Sequence, residues 1–225
     1  MPPAEPVAIL GGTFDPVHYG HLRFADDVRR ALHLAEMRLV PGSDPPHRQG
    51  PRAAANHRRA MLDLAVAEFP GLVVDDRELR RPGKSYTVPT LEELRREFPE
   101  RPLWLLLGAD AFRDLPTWHR WEELFDLAHV IVVERPGTDL ASSLPPALLP
   151  HWQTRHVADP ALLRSRPAGA IFTQAIAPHA VSATAIRKAL ARGPTSRLEL
   201  QGLLPPAVLA YIARNQLYRP PTDAP

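Results

Sequence analysis

The fold can be read from Val7-Ala8-Ile9-Leu10-Gly11-Gly12-Thr13-Phe14-Asp15-Pro16-Val17-His18-Tyr19-Gly20-His21-Leu22. The stretch begins as an apolar run of strand length and passes a glycine pair. It then enters a segment where Leu22, Ala25, Val28 and Leu32 recur at helical spacing. A strand feeding a glycine turn and then a helix gathers free backbone N–H groups and the positive end of the helix dipole at one point. Phosphate is the usual occupant of such a mouth. His18 and His21, three apart at the helix start, would share one face, where they either meet an anion or cap and pack the helix. No lysine follows the glycines as a Walker A loop requires, and no G-x-G-x-x-G is present.

Outward from this stretch, apolar strands alternate with helical segments. Residues 37–40 read as a second strand, ending at Pro41-Gly42-Ser43-Asp44-Pro45-Pro46-His47-Arg48, where prolines stop any regular element. A helix is expected over 52–68, a strand over 72–74 and a helix from about 90 to 98, with Glu92 and Arg96 at a favourable i, i+4 spacing. Residues 103–107 and 130–133 are continuous apolar strands of the kind buried on both faces of a parallel sheet. Residues 138–167, rich in Pro, Ala, Leu and Arg, lack periodicity and read as an irregular excursion. A late strand over 170–176 leads to a helix with Ser182 as N-cap. A terminal amphipathic helix follows over 203–217, Pro205-Pro206 in its first turn, before a frayed PPTDAP. This alternation implies a doubly wound, mostly parallel α/β sheet. In such sheets ligands bind beyond the carboxyl ends of the strands, where GGTFDPVHYGH, PGSDPPHR, GAD and ERPG should meet.

Composition narrows the classes. The 225 residues, 44% hydrophobic and 23% charged, suit one domain with a sizeable core. No cysteine is present, which excludes disulfides and thiolate chemistry. No apolar run approaches the roughly 18 residues that span a bilayer, and MPPAEP lacks the basic and apolar regions of a secretory signal. A cytoplasmic enzyme is expected, with no membrane partner. The net charge is +2, and lysine occurs only at Lys84 and Lys188, arginine supplying the other basic charges. These are scattered among acids without interleaved aromatics, so nucleic acid is not an expected partner.

GGTFDPVHYGH resembles the (T/S)FDPxHxGH signature of nucleotidyltransferases that join an adenylyl group to a small phosphorylated acceptor. Further blocks follow in order: Pro45-Pro46-His47-Arg48, Ser85-Tyr86-Thr87, Gly108-Ala109-Asp110, Trp118-His119-Arg120-Trp121, the run from Ala128 to Gly137, Val181-Ser182-Ala183-Thr184-Ala185-Ile186-Arg187, and the closing LLPPAVLAYIARNQLY. Together, from Val7 to Tyr218, they resemble the bacterial nicotinate-nucleotide adenylyltransferases of the HxGH superfamily. The resemblance implies a Rossmann-like sheet with a small C-terminal helical part. It implies one domain over 1–225, with 7–180 as core and 181–218 as C-terminal helices carrying SATAIR. It also implies transfer of AMP from ATP to nicotinate mononucleotide by direct in-line attack, with Mg²⁺ held mainly by the ATP phosphates rather than by protein ligands.

Residue by residue, the resemblance gives His18, His21 and Arg187 the catalytic contacts. ATP would meet these three together with Gly11, Gly12, Thr13, Phe14, Gly108, Asp110, Ser182 and Thr184. Asp110 would take ribose hydroxyls, and Arg187 the β,γ-phosphates. The acceptor would meet Ser85, Tyr86 and Thr87 at its carboxylate and Trp118 at its ring, with Arg48, Arg135 and His47 toward its phosphate side. A bland alternative stands beside each: a capping Asp110, a core Trp118, surface arginines. Two residues depart from the family pattern. Pro89 stands where SYTxDTL has Asp, and Ala183 replaces the second Ser of ISST. Pro89 leaves the choice between acid and amide acceptors open. Rival readings are a nicotinamide-mononucleotide or dual-specificity enzyme, a pantetheine-phosphate adenylyltransferase, which would lack the SYT, Trp118 and SATAIR blocks, and a non-catalytic nucleotide sensor. A homo-oligomer is compatible with all of them.

Overall fold

The computed structural model describes residues 5–43, 51–193 and 198–219. Six strands, β1 (Val7–Gly12), β2 (Met37–Pro41), β3 (Leu72–Val74), β4 (Leu103–Gly108), β5 (His129–Glu134) and β6 (Ile171–Ala175), form one sheet in the order β3-β2-β1-β4-β5-β6. Every pairing is parallel, with Leu10 opposite both Leu39 and Leu106. This is the doubly wound Rossmann-like order, mirrored about the β1–β4 boundary.

The apolar runs are continuous because both sheet faces are covered. Ala8, Trp104, Leu106, Ile131 and Val133 point into one core with α1 (Tyr19–Ala31), α2 (Ala55–Val66), α8 (Ala183–Ala191) and α9 (Pro206–Arg214). Their strand neighbours Val7, Ile9, Leu103, Leu105, Leu107, Val130 and Val132 enter a second core with α4 (Thr87–Glu97) and α6 (Leu124–Leu127). Period-two alternation thus divides the strands between two hydrophobic layers. In α1 the expected stripe is buried, with Leu22, Ala25 and Val28 fully enclosed.

Several local expectations needed correction. The helix expected over 52–68 forms only as Ala55–Val66, because residues before Ala55 turn toward the Asp15 carboxylate. The helix expected from about residue 90 starts at Thr87, which puts Pro89 at the third helical position, where its missing N–H breaks no intrahelical bond. A one-turn helix, α3 (Arg77–Arg80), precedes it and had no apolar signal to announce it. Glu92 and Arg96 do not pair: Arg96 donates to the Glu92 carbonyl, while the Glu92 carboxylate takes Arg120. After α5 (Ala109–Arg113), the stretch expected to be irregular carries α7 (Leu149–Arg155), whose Trp152 stacks on His156. The terminal helix covers only Pro206–Arg214, and the chain then turns through Gln216 and Tyr218 in left-handed conformations. The PPTDAP segment lies outside the described residues.

Candidate active site

Where the strand order reverses between β1 and β4, a cavity of about 1140 Å³ opens at the carboxyl ends of the strands. That exceeds the roughly 300–1,000 Å³ of most small-ligand sites, leaving room for two substrates. Gly11, Gly12 and Thr13 leave β1 on its floor, Gly108 and Asp110 leave β4, and Arg135 leaves β5. Gly42 joins them from β2, so the strand-end motifs meet at one edge. A side chain at Gly11 or Gly108 would meet no protein atom within 4 Å, so both backbones lie open to the cavity.

Beside this floor, the β1–α1 turn is built around His18. His18 is the N-cap of α1, and its Nδ1 accepts from the His21 backbone N–H at 3.3 Å. The capping alternative is therefore real, but it occupies only one ring nitrogen. Burial lowers the His18 pKa to about 4, so the ring is neutral near pH 7. With Nδ1 accepting, its proton sits on Nε2, leaving that atom a donor suited to a phosphate oxygen. The His21 ring stacks on His18 with centroids 3.7 Å apart. Gly20 is required by this arrangement, since a Cβ there would come within 2.9 Å of the His18 ring. Phe14 differs from expectation: its side chain is 1% exposed and belongs to the core, leaving only its backbone on the loop.

The second helix mouth arrives from far along the chain. Ser182 caps α8 through the Ala185 N–H, as expected. Arg187 Nη1 donates to the Asp15 carbonyl at 2.7 Å and Nη2 to Thr184 Oγ1 at 3.1 Å. SATAIR and FDPVHYGH are thereby joined. Phe14, His18, His21, Ser182, Thr184 and Arg187 do not border the large cavity; the five polar ones form a shoulder next to Gly12 and Thr13, which do. Asp110 lines the cavity in the first turn of α5 without capping it, its carboxylate 95% exposed and paired with Arg113.

The opposite end of the cavity is bordered by Ser85, Tyr86, Thr87 and Trp118. Tyr86 is the N-cap of α4 without a side-chain cap, so the Thr87 and Val88 N–H groups remain as donors at a positive helix end. Ser85 Oγ accepts from the Ser43 N–H at 2.7 Å, tying this end to the β2 exit. Trp118 is half-buried, packing on the second core and lining the cavity, so the core and ligand readings both describe it. Arg135 is exposed at the rim. Arg48 and His47 lie outside the described residues.

The cytidylyltransferase-like family model matches residues 9–189. A probable nicotinate-nucleotide adenylyltransferase of Halorhodospira halophila is 48% identical over 96% of both chains. Another, from Laribacter hongkongensis, is 50% identical over 99% of this chain and 98% of its own. The chain belongs to the nicotinate-nucleotide adenylyltransferase family. The solved structure of Plasmodium falciparum nicotinic acid mononucleotide adenylyltransferase complexed with NaAD shares the fold, with a TM-score of 0.69, 18% identity, and 95% and 97% coverage of the two chains.

In this member of the family, sequence reasoning missed three residues that hold the site together. Arg58, 1% exposed, donates to the carbonyls of Thr13, Gly42, Ser43 and Ala53, gripping both loops that leave β1 and β2. Asp15, 5% exposed, accepts from two backbone N–H groups and the Tyr218 hydroxyl. Glu78 lines the cavity and accepts from Thr90 Oγ1 at 2.6 Å. Burial pushes its carboxyl above the usual range, against the pull of the Thr90 and Ser85 hydroxyls and Arg81. An arginine and a glutamate on short polar stretches read as solvated charges, and no local pattern separates them from their neighbours.

Proposed function

We propose that the protein transfers the adenylyl group of ATP to nicotinate mononucleotide, releasing pyrophosphate and forming nicotinate adenine dinucleotide in pyridine nucleotide biosynthesis. The observation that carries this reading is the near-full-length identity of about one residue in two with relatives of that name. The acceptor's phosphate oxygen attacks the α-phosphorus of ATP, and the bond to pyrophosphate breaks. Transfer of this kind asks the protein for positioning and charge stabilisation rather than a covalent nucleophile.

The two ends of the site suit the two substrates. Gly11, Gly12 and Thr13 take the nucleotide along the floor, with Gly108 and Asp110 at its ribose. His18 Nε2, His21, Ser182, Thr184 and Arg187 face the triphosphate, whose charge the two helix mouths favour. The Thr87 and Val88 N–H groups at the α4 terminus donate to the nicotinate carboxylate, Ser85 and Tyr86 border it, and Trp118 stacks on the ring. The anion-seeking helix end favours the acid acceptor over the amide. We take the nucleotide to enter as its magnesium complex, the cation on the triphosphate; among the described residues no group of three or more His, Cys, Asp or Glu is placed to hold a metal. The reading includes a cytoplasmic place for the reaction; no helix among these residues is long and apolar enough to cross a membrane.

Purified protein with ATP and Mg²⁺ tests the reading through pyrophosphate release with nicotinate or nicotinamide mononucleotide. Release is expected with both, with the acid at higher kcat/KM. No release with either refutes the enzyme, and equal efficiency refutes the acid preference.

A further inference from the structure

Asp15 is a junction between three distant parts of the chain. Its carboxylate accepts from Arg52 N at 2.7 Å, Ala53 N at 3.1 Å and Tyr218 Oη at 2.7 Å. Its carbonyl accepts from Arg187 at 2.7 Å. The residue before the junction but one is held as well, since Arg58 donates to the Thr13 carbonyl at 2.8 Å. Asp15 therefore fixes the peptide on which Arg187 rests, and Tyr218 is one of only three donors that fix the Asp15 side chain among the described residues.

Tyr218 is shaped for this contact. It sits at φ 63°, a left-handed conformation that a bulky side chain adopts only where its surroundings impose it. Burial and the Asp15 charge both push its phenol pKa up, so the hydroxyl stays protonated and donates to the carboxylate. The helix before it is anchored without this bond. Val208 and Ile212 of α9 are buried, and the Tyr211 hydroxyl meets His57 Nδ1 of α2 at 2.9 Å. The Tyr218 hydroxyl is thus spare for the fold of α9 and spent on the loop that carries the histidines.

We propose that Tyr218 is a positioning residue of the nucleotide site: by hydrogen bonding to Asp15, it fixes the peptide that orients Arg187 toward the triphosphate. The inference rests on the adenylyl-transfer reading above. Without the hydroxyl, Asp15 keeps only two donors in a buried setting, and the backbone whose carbonyl Arg187 uses is held less firmly. A tie that served stability alone would lower the melting temperature without coupling to Arg187.

The test is a double-mutant cycle of Tyr218→Phe and Arg187→Ala, read as affinity for a non-hydrolysable ATP analogue by calorimetry, with melting curves beside it. Tyr218→Phe is expected to weaken nucleotide binding about tenfold, the scale of one hydrogen bond to a charged group. In the Arg187→Ala background the same change should cost less than about twofold, because the group it positions is gone. A chain ending at Leu217, which keeps α9, should bind no better than Tyr218→Phe. Wild-type affinity in either variant overturns the proposal, as does an equal loss with and without Arg187. The measurement needs no acceptor. A wild-type protein that binds the analogue but transfers nothing to either mononucleotide refutes the proposed function, and the cycle still decides the role of Tyr218. A wild-type protein that binds no nucleotide refutes both.

Discussion

At the scale of single residues, His18 caps α1 with one ring nitrogen and is proposed to meet phosphate with the other, and substitutions can separate the two. His18→Ala removes the phosphate donor and also the cap of α1, a loss worth about 1 kcal/mol by itself. His18→Asn offers an oxygen to the His21 N–H but no Nε2–H at the same reach. Its stability by urea unfolding is expected to stay within about 1 kcal/mol of wild type, while kcat falls by roughly 10²–10³. Wild-type turnover would remove His18 from the reaction. His18 and buried His129 also weaken the fold in acid. Burial holds each near pKa 4, while an unfolded histidine titrates near 6.5. Between those values the unfolded chain binds more protons, so stability is full above about pH 6.5 and is lost as pH falls toward 4. Each histidine contributes a slope of up to about 1.4 kcal/mol per pH unit, measurable by urea unfolding at pH 7, 6 and 5. The histidine pair was legible in the sequence because its spacing is local. That His18 would bind His21 with one nitrogen, and that Phe14 would turn inward, depended on a backbone path that residue types do not encode singly.

At the scale of elements, the site is a set of strand exits and helix starts held in register by buried polar side chains. Arg58 is the clearest case. Arg58→Met should leave the carbonyls of Thr13, Gly42 and Ser43 without their donor and destabilise the fold by about 2–4 kcal/mol. Arg58→Lys should recover only part of that, since an ammonium cannot span four carbonyls as a planar guanidinium does. Chemical denaturation of both variants checks the order. The start of α4 gives a second test. Pro89 withholds one of the N–H groups that a helix leaves open at its first turn. Pro89→Ala restores that donor, so KM for nicotinate mononucleotide should fall while that for the amide stays unchanged; a parallel change in both would sever α4 from acceptor choice. The strands were readable because burial on both faces leaves an unbroken apolar run. In contrast, α3 and α7 were not, because Arg77–Arg80 is wholly charged around one leucine and Leu149–Arg155 has a proline in its first turn.

At the scale of the whole molecule, the sheet order brings the strand exits to one crevice, and α8 and the segment after α9 tie back to the β1–α1 loop beside it. Of the expected site, Ser85, Tyr86, Thr87 and Trp118 stood out only through the family resemblance, whereas the cavity floor was legible as blocks that follow strands. The ties between blocks were not, because Arg187 to Asp15 and Tyr218 to Asp15 span 172 and 203 residues. Since both ties meet at the nucleotide loop, ligand binding should be felt by the entire fold. An ATP analogue at about 100 times its Kd should add about 2.7 kcal/mol to unfolding, or roughly 5–10 °C in a melting scan. A melt unchanged by nucleotide would show the site to be uncoupled from global stability.

The Asp15–Tyr218 bond also orders events in time. A ribosome making about 5–20 residues each second emits Asp15 on the order of 10–40 seconds before Tyr218, its partner 203 residues later. For most of that interval the nascent loop lacks Arg187, 172 residues on, and for all of it the tyrosine, so on the adenylyl-transfer reading ATP has no finished mouth to occupy. On that reading nucleotide capture waits for Tyr218, and a chain cut short before residue 218 carries the opening motif without the bond that holds Asp15.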